Sequence, residues 1–159
     1  MSSSRRFLIA ALAVTTSTTL VAGAQPALAA PQAGLDAAYS VRAAAAGSTR
    51  TLTLTIANSD TPAATPFSFA LTLPPTITRP GAPTTTCTTA TVLATPPAGR
   101  TITVTGTLAA AEASCTITIP VTSAVQGTSA TCADDIENLT GLTPPARCAS
   151  IYFEEANAS

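Results

Sequence analysis

Histidine, lysine and tryptophan are all absent from this chain of 159 residues. Without histidine or lysine, the bases that usually activate a serine or cysteine nucleophile are missing. Charged residues make up only 9% of the chain and form no basic cluster, so nucleic acids and anionic membranes are poor candidate partners. The composition therefore predicts that the protein is not an enzyme and needs no cofactor.

Acidic residues are the one remaining source of acid–base or metal chemistry. They cluster only at Asp134, Asp135 and Glu137, where the simplest interpretation is a solvated loop that keeps the domain soluble. A calcium site is a weaker alternative, because the D-x-D-x-D-G spacing of calcium loops is absent. A catalytic carboxylate pair is weaker still, so we expect no catalytic and no metal site.

Threonine takes the place of the missing charged residues. The chain contains 31 threonines, and this β-branched residue favours extended backbone while its hydroxyl can face water. Strands with threonine on their outer side are therefore expected to supply much of the polar surface.

The first 29 residues are predicted to be a secretory signal peptide. Arg5 and Arg6 precede an apolar stretch from residue 7 to 21, and the small-residue motif Ala27-Leu28-Ala29 follows it. We expect cleavage between Ala29 and Ala30. Threonines interrupt the apolar run, which argues against a membrane anchor, and no later segment is long and apolar enough to span a bilayer.

A single domain is predicted over residues 30–159, a length typical of one domain. After loss of Arg5 and Arg6, five arginines and eight acidic residues remain, which gives a net charge of −3. The predicted product is a secreted or cell-surface-associated protein without a membrane span.

Four cysteines, all in the predicted mature domain, indicate two disulfides in an exported chain. They are Cys87, Cys115, Cys132 and Cys148. Zinc is disfavoured, because there is no C-x-x-C spacing and no histidine. Three pairings are possible, and we expect the sequential one. In the chain-entropy model a Cys87–Cys115 bond would stabilise the fold by roughly 3–4 kcal/mol and a Cys132–Cys148 bond by roughly 3 kcal/mol.

Apolar residues alternate with threonines in several short runs, which is the period of β-strands. Helical signals are nearly absent, and the alanine-rich segments 43–46 and 108–113 are expected to be turns. Pro120 predicts an edge position or a bulge late in its strand. The pattern predicts an all-β, immunoglobulin-like sandwich of about seven to eight short antiparallel strands, stapled by disulfides. Its predicted core is Leu52, Leu54, Ile56, Phe67, Phe69, Leu71, Leu73, Ile102, Val104, Ile117, Ile119 and Val121.

The middle of the chain resembles the immunoglobulin-like conserved repeat domains of bacterial surface and secreted proteins, many of them domains of unknown function. The resemblance covers residues 39 to 131, and it rests on the run LTLTIAN at 52–58, a double proline at 74–75 and the segment GTLAAAEASCTITIPVT at 106–122. It implies a sandwich fold, a Cys87–Cys115 bond and a structural or adhesive role. This chain departs from the family by carrying one copy and by adding Cys132 and Cys148, which argues against a role as a spacer.

Two hypotheses for function follow from these features. The first is a secreted or envelope-associated structural or interaction module that binds a protein or envelope component. The second is a ligand-binding protein or an inhibitor of an extracellular enzyme, with the segment between Cys132 and Cys148 as a rigid presenting loop. Tyr152 and Phe153 form a further candidate binding tip, although a last strand packed on the core is the favoured interpretation.

Overall fold

Alternating apolar side chains produce strands whose apolar sides share one interior. The computed structural model describes residues 32–58, 64–94 and 99–155. The predicted signal peptide and its cleavage position between Ala29 and Ala30 lie outside these described residues.

The described residues form twelve strands and a 3-10 helix of three residues, Ala133–Asp135. The strands are β1 (Ala33–Tyr39), β2 (Ala43–Ala45), β3 (Arg50–Ala57), β4 (Thr65–Thr72), β5 (Thr84–Thr85), β6 (Thr91–Ala94), β7 (Thr101–Leu108), β8 (Ser114–Val121), β9 (Gly127–Thr131), β10 (Ile136–Thr140), β11 (Leu142–Thr143) and β12 (Ala149–Glu154). This number exceeds the seven or eight expected, because β2, β5, β6 and β11 have only two to four residues. Segments of this length are too short for an alternation of apolar and polar residues to be recognised in the sequence.

Three sheets make up the fold. A five-stranded sheet has the order β11-β1-β3-β8-β5, a four-stranded sheet β10-β4-β7-β6, and a three-stranded sheet β2-β12-β9. Most neighbours are antiparallel, but β1 pairs with β11 and β12 pairs with β2 in parallel. Buried side chains of all three sheets belong to one hydrophobic core. The chain is thus an immunoglobulin-like β-sandwich, which confirms the predicted fold class.

All twelve predicted core residues are buried, each with 2% exposure or less. The alternation in β3 shows why: Leu52, Leu54 and Ile56 face inward while the threonines between them face outward. Further buried side chains come from segments without a strong sequence pattern, among them Ile77, Ile151 and Phe153. The interior is therefore mostly aliphatic, as the scarcity of aromatic residues indicates.

Pro120 has no backbone N–H, and it lies at a position in β8 where the sheet needs no donor. The backbone N–H groups of Thr78 and Thr122 each donate to the other's carbonyl at 2.9 Å, on the side of β8 away from β3. Pro120 lies two residues before Thr122, so its nitrogen faces the same outer side. The predicted edge strand is not found, because β8 lies between β3 and β5; only the position of Pro120, between the pairings at Thr118 and Thr122, is unpaired on that side.

The alanine-rich segment at residue 43 is a strand and not a turn. Ala43–Ala45 pairs in parallel with Tyr152–Glu154 of β12, and Ala44 is buried between its exposed neighbours. Alanine has little intrinsic preference for strands, so the long-range pairing with β12 decides this conformation. The segment at 108–113 does turn, between β7 and β8.

The segment between Cys132 and Cys148 was expected to be a loop, but it contributes to both large sheets. Its strand β10 pairs with β4 of the four-stranded sheet, and β11 pairs with β1 of the five-stranded sheet. Among the described residues, no helix is long and apolar enough to cross a bilayer.

Candidate protein-interaction surface

Tyr152 is the exposed aromatic residue of the three-stranded sheet. It lies in β12, opposite Ala43 of β2 on one side and Thr128 of β9 on the other. Because both neighbours are small, the ring is left 38% exposed. Its hydroxyl accepts a hydrogen bond from Gln126 Nε2 at 2.7 Å, which orients the ring.

Two exposed valines directly precede residues that hydrogen-bond to Tyr152. Val125 directly precedes Gln126 and is 53% exposed, and Val41 directly precedes Arg42 and is 38% exposed. The Arg42 carbonyl accepts a hydrogen bond from the Tyr152 N–H at 2.8 Å, so the residue that follows each valine is hydrogen-bonded to Tyr152. We call Val41, Ala43, Val125 and Tyr152 the Tyr152 patch.

The clustering of these side chains distinguishes the patch from the rest of the surface. Four large hydrophobic side chains are exposed in the described ranges, and three of them are in the Tyr152 patch; Leu93 is the fourth. Single exposed apolar side chains are ordinary, whereas a group of them marks an interaction site.

Phe153 follows Tyr152 in the chain but has no part in the patch. Successive side chains of a strand point to opposite sides, and Phe153 is completely buried in the core. The expected binding tip therefore divides into a packing residue and an exposed one. The last strand packs on the core, as favoured from the sequence, and Tyr152 alone remains available to a partner.

A buried polar cluster lies beneath the other end of the same sheet. The hydroxyls of Tyr39 and Thr131 are 2.8 Å apart, and Thr131 is completely buried. Burial raises the pKa of Tyr39 above its usual value of 10.0; the hydrogen bond to Thr131 lowers it and the negative charge of Asp135 raises it further. The neutral phenol is thus the form that this site favours.

The four cysteines form the bonds Cys87–Cys115 and Cys132–Cys148, which is the sequential pairing. The first bond is buried and joins β8 to the segment that follows β5. The second continues the antiparallel register of β9 and β12, one residue beyond the pair Thr131 and Ala149. Both bonds therefore hold segments that cross between sheets.

Asp134, Asp135 and Glu137 do not share one site. Asp135 accepts a hydrogen bond from the Cys132 N–H at 2.7 Å and caps the 3-10 helix, whereas Glu137 lies exposed in β10. Within residues 32–58, 64–94 and 99–155, no three acidic or cysteine side chains are grouped so that they could hold a metal ion. The role of Asp135 is thus to start a helical turn.

A shallow groove of about 680 Å³ lies over the four-stranded sheet. Hydroxyl side chains line much of it, and none of its lining residues is charged. Ser68 and Thr140, from neighbouring strands, are hydrogen-bonded to each other at 2.8 Å. The part of the groove lining that the structure describes is thus neutral, with hydroxyl groups as its polar side chains.

Sequence patterns singled out Tyr152 but missed Val41, Val125 and Gln126. Each of these lies between strands, where no periodicity marks a residue as inward or outward. Their proximity to Tyr152 arises from pairing across more than 25 residues of chain. The signal in the sequence that could have indicated Val41 and Val125 is that each is a single valine in a polar connection between strands.

Two solved structures share this fold. A non-cellulosomal cohesin from the hyperthermophilic archaeon Archaeoglobus fulgidus has a TM-score of 0.51 at 11% identity, over 76% of this chain and 91% of that chain. A cohesin module from a family 33 glycoside hydrolase of Clostridium perfringens has a TM-score of 0.52 at 12% identity, over 79% of this chain and 97% of that chain. At these identities the likeness concerns the fold alone.

Sequence comparison adds one family. Residues 34–152 match the family described as "Domain of unknown function (DUF7933)". No curated protein matches the sequence.

Proposed function

Because this chain belongs to the DUF7933 family, whose description assigns no activity, we propose its function from its surface: it is an exported, non-catalytic module that binds another protein through the Tyr152 patch. The observation that carries the proposal is that three of the four large hydrophobic side chains exposed in the described residues, those of Val41, Val125 and Tyr152, belong to this patch.

The composition of the patch supports a protein partner. Tyrosine is over-represented among the residues that dominate binding energy, because it combines a large apolar ring with a hydroxyl and has few rotatable bonds. The Gln126 hydrogen bond holds the ring in one orientation, which lowers the entropy cost of binding. Val41 and Val125 would surround the ring and exclude water from the contact.

Export is supported by the oxidised cysteines and the predicted signal peptide. None of the four cysteines is free, and disulfides persist in oxidising compartments. The fold shared with two cohesin modules supports a modular sandwich. Retention at the envelope, and the resemblance to bacterial surface repeats, remain predictions.

The alternative, a ligand binder or inhibitor that presents the segment between Cys132 and Cys148, has less support. That segment pairs with both large sheets through β10 and β11, so its backbone is committed to the fold. It is therefore not the projecting loop that such a mechanism requires.

The proposal is tested by comparing variants for capture of a partner. The wild-type protein, Tyr152→Ser and Leu93→Ser would each be immobilised and exposed to the extracellular and envelope fractions of the organism that encodes the chain. A protein retained by the wild type would be identified by mass spectrometry, purified, and its affinity measured by surface plasmon resonance. Leu93→Ser is the matched control, since it removes the exposed apolar side chain outside the patch.

We expect Tyr152→Ser to weaken binding by about 30-fold, the effect of losing a hot-spot residue worth about 2 kcal/mol. Leu93→Ser should bind like the wild type. Equal affinity of all three proteins, or loss of binding only in Leu93→Ser, would refute the assignment of the Tyr152 patch.

A further inference from the structure

Five arginines are present in the described residues, and three of them are committed to main-chain carbonyls. Arg50 Nη1 donates to Thr49 at 2.9 Å, Arg79 Nη1 to Gly81 at 3.0 Å, and Arg100 Nε to Leu73 at 3.0 Å. These three guanidinium groups therefore already have hydrogen-bond partners within the chain.

The other two arginines line one groove. Arg42 and Arg147 are both exposed, and within the described ranges neither side chain makes a hydrogen bond or an ion pair. The groove has a volume of about 480 Å³, and its walls are residues 36–39 of β1 and residues 147–150 at the start of β12. We call it the arginine groove; its polar residues are Asp36, Tyr39, Arg42, Arg147 and Ser150.

One wall of the arginine groove is an open strand edge. Strand β1 pairs with β3 over residues 34–39, but with β11 only at Ala33 and Gly34. The Ser40 N–H donates to the Thr51 carbonyl at 2.9 Å, so the even-numbered residues of β1 bond toward β3. The N–H and C=O groups of Ala37 and Tyr39 point the other way, where no described strand is paired with them.

We propose that the arginine groove binds an extended acidic segment of the protein that docks on the Tyr152 patch. This inference rests on the proposed function and names the chemistry of the partner. The two surfaces are contiguous, because Arg42 lies between Val41 and Ala43 of the patch while its side chain lines the groove.

Charge complementarity identifies the occupant. Two arginines and one carboxylate, Asp36, line the groove and give it a net positive charge, whereas the predicted mature chain has a net charge of −3. Guanidinium groups bind carboxylates through paired, charge-assisted hydrogen bonds. A nucleic acid would require many more cations along its path, which favours acidic side chains of a protein.

The open edge of β1 determines the conformation of the occupant. An extended segment can add to the edge by pairing its main chain with Ala37 and Tyr39. Alternate side chains of such a segment point to the same side, so acidic residues two positions apart would face the arginines together. The groove thus recognises both the extended backbone and the negative charge of the bound segment.

The test uses a short synthetic probe and fluorescence anisotropy. The probe is a fluorescein-labelled peptide of eight residues in which Glu and Thr alternate, and its control has Gln at every Glu position. The purified protein, with both disulfides formed, would be compared with Arg42→Gln/Arg147→Gln and with Arg100→Gln. Arg100→Gln is the matched charge control outside the groove.

We expect the Glu peptide to bind the wild type about tenfold or more tightly than the Gln peptide, and increasingly so at low salt. The double variant should lose this preference, and Arg100→Gln should keep it. Methylation of alternate peptide nitrogens should also weaken binding, since it removes main-chain donors. Equal affinity for both peptides, an equal loss in Arg100→Gln, or unchanged binding of the methylated peptide would overturn the proposal.

The outcomes separate this inference from the proposed function. The peptide has no large apolar side chain to bind the Tyr152 patch, so Tyr152→Ser should bind it like the wild type. Capture of a partner protein without peptide binding would overturn the groove and leave the patch intact; peptide binding without any captured partner would do the reverse. A dimer in sedimentation velocity that dissociates in Arg42→Gln/Arg147→Gln would identify a second copy as the occupant and refute the acidic segment.

Discussion

Threonine side chains occupy many of the outward-facing positions of the strands. In β3, Thr51, Thr53 and Thr55 alternate with completely buried aliphatic residues and remain partly exposed. Their hydroxyls meet water while their methyl groups and branched Cβ favour extended backbone. One residue type thus supplies both strand propensity and polarity, which explains how the chain manages with so few charges.

Gly141, which joins β10 to β11, has a conformation that other residues rarely adopt. Its φ is +74°, and a Cβ at this position would lie 2.0 Å from the Pro66 carbonyl oxygen. Gly47 has a similar φ of +81° but has no atom within 4 Å of such a Cβ. Comparing substitutions at Gly141 and Gly47 therefore separates the cost of backbone strain from the cost of steric overlap.

We predict that Gly141→Ala lowers the free energy of unfolding by about 2–5 kcal/mol, from the left-handed backbone and the overlap together. Gly47→Ala should lose only about 1–2 kcal/mol, from the backbone alone. Urea unfolding followed by circular dichroism would measure both values. Similar losses in the two variants would show that the approach to Pro66 relaxes at little cost.

Tyr39 links stability to alkaline pH. Its pKa in the folded state is raised by burial, so folding favours the neutral phenol. The stabilisation is complete below the unfolded pKa of about 10 and is lost as pH rises through the folded value. The absence of lysine and of free cysteine leaves few other groups that titrate in this range.

We therefore expect the free energy of unfolding to fall as the pH rises above 10, and to fall less in Tyr39→Phe. At neutral pH this variant should also lose about 1 kcal/mol, because the buried Thr131 hydroxyl loses its partner. Urea titrations from pH 7 to 11 would test both effects, with Tyr152→Phe as the control. An unchanged pH dependence in Tyr39→Phe would contradict the prediction.

At the scale of elements, the two disulfides differ in what surrounds them. Cys87 and Cys115 are buried at 4% and 2% exposure, and their bond spans 28 residues. Cys148 is exposed, and the bond to Cys132 spans 16 residues. Longer loops lose more entropy when they are closed, and buried sulfur atoms leave a cavity when they are removed.

We predict that Cys87→Ala/Cys115→Ala loses about 4–6 kcal/mol of unfolding free energy, from the loop and the cavity together. Cys132→Ala/Cys148→Ala should lose about 3 kcal/mol, from the loop alone. Urea unfolding of both double variants would establish the order. A larger loss in Cys132→Ala/Cys148→Ala would show that this bond holds β10 and β11 in place beyond its entropic effect.

At the scale of the whole molecule, functional features concentrate beside the small three-stranded sheet. The Tyr152 patch and the arginine groove meet at Arg42, while the outer faces of the two large sheets consist mostly of neutral hydroxyl residues. The large sheets therefore act as the stable scaffold. The small sheet, formed from distant segments at 43–45, 127–131 and 149–154, carries the proposed contacts.

The sequence predicted the scaffold because period-two alternation is a local property. The alternation within each run indicates which side of the strand is buried. This holds for the runs around Leu52, Phe69, Val104 and Ile117, and all four residues are in the core. It did not predict β2, β10 or β11, because two to five residues of weak propensity become strands only when a partner strand is already in place. Ala43–Ala45 illustrates this, since its partner lies more than 100 residues away in the chain.

By itself, the sequence determined the all-β class, the aliphatic core and the lack of basic catalytic residues, since alternation and composition need no long-range information. Tertiary structure alone decided that Val41, Val125 and Tyr152 share one surface, and that Arg42 and Arg147 line one groove. The physical reason is that these residues come from connections and from the ends of a sheet. Their positions follow from pairings between distant segments, which no local pattern encodes.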